Sequence, residues 1–115
     1  MIYRRGDVVV AYYIHSDGET WKARPALVVQ ADDIETNLPQ TLLALISSQV
    51  EKRQGETRFT IFKDSQLGKD MGIRLDSVIV ADILQTVEDK LIYKKIGHCS
   101  DMQAINTALK KSLGL

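Results

Sequence analysis

Apolar and polar positions alternate or cluster in short runs along most of this chain, and only its C-terminal end switches to a helical spacing. The first strong segment, Asp7–Ile14 (DVVVAYYI), is β-branched and aromatic and predicts a strand. His15–Lys22 follows with a Ser-Asp-Gly turn signal and predicts a loop. Strand two is expected over Pro25–Gln30, because proline is tolerated where the first N–H has no ladder partner. Ala31–Gln40 is polar and contains Pro39, which fits a loop or a single helical turn. Strand three is expected over Thr41–Ser47 and strand four over Thr57–Phe62. Lys63–Met71, with Gly68 inside it and Gly72 after it, reads as a loop. The run Ser77–Val87 (SVIVADILQTV) predicts strands five and six, and Leu91–Ile96 a shorter extended piece.

From Ser100 onward the period changes. Met102, Ile105, Leu109 and Leu113 fall at helical spacing and predict a helix over Asp101–Leu113. Ser100 and Gln103 match a capping box, Asp101 suits the positive end of the helix dipole, and Lys110, Lys111 and Gly114 suit its exit. A run of short strands closed by one helix predicts a mainly β fold that curls into a small barrel or a strongly bent sheet, leaving few open edges.

Composition narrows the class. The 115 residues suit a single domain, with no repeat or linker to mark a boundary. An apolar fraction of 44% beside 26% charged residues fits a folded globular chain rather than a disordered one. No apolar run approaches the ~20 residues of a membrane span. The start, MIYRRGDVVVAYY, mimics a signal peptide, but Asp7 interrupts it and Asp17 and Glu19 follow closely, so a mature cytoplasmic N-terminus is expected. The single cysteine, Cys99, excludes an internal disulfide and a cysteine metal cluster, and reads as a partly buried thiol. With 15 basic and 15 acidic residues the net charge is zero, which argues against bulk electrostatic attraction to nucleic acid and leaves room for a local basic groove.

Several residues carry candidate chemistry. Arg24 sits before Pro25 at the start of a strand, so its Cα is held while its guanidinium offers a planar fork of donors suited to a phosphate. The alternative is a rim arginine paired with a carboxylate. Ser47, Ser48 and Gln49 end strand three, where hydroxyls either donate to a phosphate oxygen or start the next turn. Asp82 interrupts an apolar run, where a carboxylate is costly unless paired or at a bend, so it marks a β-bulge or holds a functional arginine. His15 has the titration range for acid–base work, or is a solvated loop residue. Trp21, beside Lys22, can stack on a base or cover the barrel mouth. His98 reads as structural. No phosphate-binding glycine loop, metal-ligand spacing or nucleophile elbow is present.

The segments RRGDVVVAYY, KARPALVVQ, LALISSQV and GIRLDSVIVADILQTV, followed by a C-terminal helix, resemble the MazF/PemK toxins over nearly the whole chain and in the same order. Gly6-Asp7, Arg24-Pro25 and Asp76-Ser77-Val78 are the most specific pieces. The resemblance implies an SH3-like barrel with helices, a homodimer, and a cognate antitoxin that wraps the dimer and blocks its RNA groove. It also implies a sequence-selective endoribonuclease that cuts single-stranded messenger RNA without a metal or other cofactor, inhibiting translation and growth. The substrate's 2′-hydroxyl would attack the adjacent phosphate, leaving a cyclic phosphate and a 5′-hydroxyl. On this resemblance Arg24, Ser47 and Asp82 are the catalytic candidates, Asp82 by orienting a base or Arg24. Trp21, Lys22, Ser48, Gln49 and His15 are expected to bind RNA. The chain departs from the family pattern at Val80, where some relatives have arginine, at Ile83, where many have glutamine, and at Gln85, where a basic residue is common. The competing reading is a non-catalytic SH3-like barrel that binds RNA or a protein target such as gyrase. In that reading the C-terminal SLGL would be the capture element, although it lacks a bulky aromatic anchor.

Overall fold

The computed structural model describes residues 2–14, 18–19, 21–34 and 36–115. Six antiparallel strands form one sheet in the order β4-β5-β3-β2-β1-β6. They are β1 (Asp7–Ile14), β2 (Trp21–Val28), β3 (Gln40–Ser47), β4 (Arg58–Ile61), β5 (Ser77–Glu88) and β6 (Ile92–His98). Helix α1 (Gln66–Met71) lies between β4 and β5, and α2 (Gln103–Leu113) closes the chain. The end strands β4 and β6 do not pair, so the expected barrel is a curled sheet that stops short of closure.

The curl explains the near-continuous apolar runs of β1–β3. Side chains alternate between faces along a strand, and here both faces are buried. Val8, Leu27, Ala44 and Ile46 pack with Met71, Ile105 and Leu109, so this face is covered by the two helices. Val9, Ala11, Tyr13, Ala26, Val28 and Leu43 point the other way and pack with Val87 and Ile92.

The main departures from the sequence expectation each have a local reason. Strand β2 begins at Trp21 rather than Pro25, because the hairpin register continues through Ala11↔Arg24 and Tyr13↔Lys22 to Ile14↔Trp21. This brings Lys22 out of the expected loop and onto a strand, and sets Arg24 inside the strand rather than at its start. The Lys63–Met71 stretch contains α1: the Ser65 hydroxyl accepts from Gly68 N at 3.0 Å, and Gly72 ends the helix at φ 72°. Ser77–Glu88 is one strand, not two. Its register against β3 jumps from Ala44↔Leu84 to Leu45↔Val80, so Ala81, Asp82 and Ile83 bulge out. Helix α2 starts at Gln103 behind an N-cap Met102. Asp101 Oδ1, not the Ser100 hydroxyl, accepts from Gln103 N at 3.1 Å.

Below the sheet, Gly6-Asp7 is a fixed corner. Gly6 takes φ 95°, and the buried Asp7 carboxylate accepts from Arg4 N at 2.9 Å, pairs with His98 Nδ1 at 2.8 Å, and meets Lys95 Nζ at 3.2 Å. Burial pushes the Asp7 carboxyl up, but these three partners outweigh it and the net pKa is lowered. Cys99 is fully buried rather than partly buried, and burial pushes its thiol up. No helix among the described residues is long and apolar enough to cross a membrane.

Candidate active site

A cavity of about 430 Å³ opens where the ends of β1, β2 and β3 meet the bulge of β5. Lys22 and Arg24 reach it from β2, where they share a face because they are two residues apart. Ser47 closes β3 at its edge, and Ser48 and Gln49 continue the wall. Arg53 comes from the β3–β4 connection, and Ile83 and Gln85 from β5. Lys22, Arg24 and Arg53 give the lining three cations, and no carboxylate lines it among the described residues. A chain of zero net charge therefore carries a locally cationic pocket.

Arg24 is exposed and makes no hydrogen bond or ion pair among the described residues, so its guanidinium fork is free for a ligand. Among the described residues no carboxylate forms a rim pair with Arg24. Its Cα is fixed by the pairing with Ala11, and Pro25 holds the next position opposite Val10. Ser47 takes the turn-starting role. Its Oγ accepts from Gln49 N at 3.1 Å, which starts the turn and leaves the hydroxyl proton free to donate.

Asp82 is placed differently. Its carboxylate takes a bidentate grip from Arg58, Nε to Oδ1 at 2.7 Å and NH2 to Oδ2 at 2.9 Å, and accepts from Thr57 Oγ1 at 2.9 Å. Hydrogen bonding from Arg58 holds the Asp82 carboxyl down at about 2. No hydrogen bond or ion pair links Asp82 to Arg24, and Asp82 does not line the cavity. It does mark a β-bulge and hold an arginine, but that arginine is Arg58. Its next neighbour Ile83 is the bulge residue that reaches the cavity wall.

Trp21 does not join the pocket either. Alternation along β2 turns it to the face opposite Lys22 and Arg24, where it is half exposed. That side of β1–β2 borders a second concavity of about 740 Å³, which includes Tyr12, Ala23, Pro25, Arg74, Tyr93 and Lys94. His15 lies outside the described residues. Of the residues expected from sequence, the structure thus gathers Lys22, Arg24, Ser47, Ser48 and Gln49. Tyr13, Arg53, Ile83 and Gln85 were not among the expected site residues. Tyr13 could have been found from the alternation of β1 once Lys22 was known to lie opposite it. Arg53 had no signal beyond being one of a basic pair. Among the described residues no group of three or more His, Cys, Asp or Glu side chains could hold a metal ion.

Comparison with known proteins agrees with the fold. The chain is 33% identical over 118 aligned positions to endoribonuclease EndoA of Bacillus subtilis, covering 100% of this chain and 97% of that relative. Among solved structures, an endoribonuclease in complex with its cognate antitoxin from a mycobacterial species superposes with a TM-score of 0.74. It is 20% identical, over 98% of this chain and 96% of that one. MazF of Deinococcus radiodurans superposes with a TM-score of 0.71 at 16% identity, over 100% and 99% of the two chains. The family model described as PemK-like, MazF-like toxin of type II toxin-antitoxin system matches residues 4–113. The chain belongs to the PemK-like, MazF-like toxins of type II toxin–antitoxin systems.

Proposed function

We propose that residues 1–115 form one toxin domain that cleaves single-stranded RNA, with messenger RNA as the cellular substrate, and so inhibits translation and growth. It works in the cytoplasm as a homodimer and is neutralised by a cognate antitoxin. The observation that carries this reading is the guanidinium of Arg24 on a rigid strand, beside Lys22 and Ser47, with no ion-pair partner and no carboxylate in the cavity wall among the described residues.

That arrangement suits internal transesterification of RNA. The 2′-oxygen bonds to phosphorus as it loses its proton, and the bond to the 5′-oxygen breaks as that oxygen gains one. The products are a 2′,3′-cyclic phosphate and a 5′-hydroxyl. Charge grows on the non-bridging oxygens as the pentacoordinate phosphorus forms, and donors fixed beforehand stabilise it without reorganising. Arg24 supplies the charged fork and Ser47 a neutral hydrogen bond to a phosphate oxygen. Lys22, Ser48 and Gln49 seat the flanking backbone. Asp82 is a positioning residue: by holding Arg58 it fixes the bulge that presents Ile83 to the cavity.

The test is cleavage of a mixed-sequence single-stranded RNA in EDTA, with the end groups identified. Fragments ending in 2′,3′-cyclic phosphate and beginning with 5′-hydroxyl support the mechanism. A strict need for added magnesium overturns it. Absence of cutting across varied RNAs overturns the nuclease reading in favour of a binding module.

A further inference from the structure

Two residues of the cavity wall, Tyr13 and Arg53, carry the only buried side-chain polar atoms without a hydrogen-bond partner among the described residues: the Tyr13 hydroxyl and the Arg53 Nε. Tyr13 is 8% exposed and stands opposite Lys22, one pair further along the hairpin face that carries Arg24. It belongs to the apolar cluster that includes Ala11, Ala26, Leu43 and Val87. Burial raises the Tyr13 pKa well above its ordinary value, so the hydroxyl stays neutral. If packing were all this position required, phenylalanine would serve it better, because a buried O–H without a partner loses its hydration for no return. An unpartnered hydroxyl at a cavity wall is explained by a ligand that completes it.

Arg53 Nε can only donate, and Tyr13 O–H can donate. The complement therefore offers acceptor atoms. A phosphate is poorly suited to Tyr13: the apolar cluster around the ring would strip water from the anion while offering only one neutral donor. Phosphates are better met by Lys22 and Arg24, which are exposed and keep the anion hydrated. A nucleobase carbonyl is neutral, cheaper to desolvate, and accepts what these groups donate.

We propose that Tyr13 and Arg53 form a base-reading subsite that selects a nucleobase with a carbonyl at pyrimidine C4 or purine C6, uracil or guanine, in the nucleotide seated in this cavity. The inference rests on the RNA-cleaving reading and adds what that reading lacks, a source of sequence preference. Cytosine and adenine present an amino group where uracil and guanine present an oxygen. Against two donors the amino group leaves both sides unpaired, which is the situation in which polar sites discriminate most strongly.

The probe is a pair of dye-labelled heptamers of deoxyuridine and deoxycytidine, which lack the 2′-hydroxyl and cannot be cut, with binding read by fluorescence anisotropy. Uracil and cytosine differ at the keto or amino position under test. The full-length wild type is expected to bind the uracil heptamer about ten-fold or more tighter than the cytosine one. Tyr13→Phe should weaken only the uracil heptamer and bring the ratio within about two-fold, while its melting temperature stays level or rises. Arg53→Gln should also narrow the ratio. Arg24→Ala should weaken both heptamers equally, as a phosphate contact would. A wild-type ratio near one overturns the proposal. So does a preserved ratio in Tyr13→Phe, or equal weakening of both heptamers by that variant. A lowered melting temperature for Tyr13→Phe, with the ratio intact in Arg53→Gln, would assign the hydroxyl a structural role instead. Discrimination without cleavage of any RNA in EDTA would keep the subsite and remove the nuclease reading; cleavage without discrimination would do the reverse.

Discussion

Replacing Asp82 by asparagine removes the charge that Arg58 grips while keeping the side chain's size and one carbonyl acceptor. Asp82 has its pKa lowered from 3.8 to about 2, first by hydrogen bonding from Arg58. A depressed carboxyl pKa contributes stability that is present above the unfolded value and lost as pH falls through the folded one. The nominal worth of this shift is about 2 kcal/mol. The Asp82 side chain is 38% exposed, so solvent screening reduces that to roughly 1 kcal/mol. Asp82→Asn should therefore lower stability at pH 7 by roughly 1 kcal/mol. It should also flatten the loss of stability that the wild type shows between about pH 4 and pH 2. Urea melts across that range, followed by far-UV circular dichroism, measure both effects. RNA cleavage by the variant should fall less than in Arg24→Ala, since the carboxylate reaches the cavity only through the bulge. Identical stability–pH curves for wild type and variant would refute the Arg58 pairing as a stabilising contact. Loss of cleavage as severe as in Arg24→Ala, in a fully folded variant, would refute the positioning role.

Two further outcomes follow from close contacts. A Cβ at Gly97 would collide with the backbone of Asp70 and Met71, where α1 crosses β6, so Gly97→Ala should destabilise by about 3 kcal/mol or more, read by urea titration. Ser47→Ala removes one neutral donor and the Gln49 turn contact. It should slow RNA cleavage by about ten-fold, clearly less than loss of the charged fork, as measured under single-turnover conditions.

The sheet was legible because its strands carry their own signals. DVVVAYYI and LLALI are β-branched or apolar runs, and their expected bounds match β1 closely and β3 to within a residue. The buried stripe of α2, Ile105 and Leu109 with Met102 packed alongside, was equally plain from its spacing, although Leu113 turns out exposed. What failed was set by partners distant in sequence. Trp21–Ala23 look like loop until the hairpin register with β1 extends the pairing. The six-residue helix α1 is too short for periodicity to show, and its best signals were Ser65 three residues before Gly68 and the exit glycine Gly72. Gly68 itself is required there because a Cβ would strike the Phe62 carbonyl.

The site followed the same division. Arg24 and Ser47 were visible because each borders an apolar run, Arg24 just before PALVV and Ser47 just after LLALI. Asp82 was visible as an anomaly, but its partner Arg58 lies 24 positions away on β4, and only the fold reveals that pairing. Trp21 was drawn to the site by its neighbours Lys22 and Arg24, and strand alternation sends it to the other face. Tyr13 looked like core, which most of its ring is; its unpartnered hydroxyl appears only once the cavity is formed.

Arg24 stands at the centre of the proposed chemistry, and single-turnover cleavage of RNA in EDTA by Arg24→Ala tests it most directly. Removing one fixed donor aimed at developing charge costs about 10²–10³-fold in rate. Arg24 has no protein partner among the described residues and is exposed, so the variant should keep the wild type's fold and oligomeric state, by circular dichroism and light scattering. The expected result is a rate reduced by at least that factor, with Arg24→Lys recovering only a small part because an ammonium cannot reproduce the fork. Cleavage by a folded Arg24→Ala protein at the wild-type rate would contradict the assignment of Arg24 to the scissile phosphate.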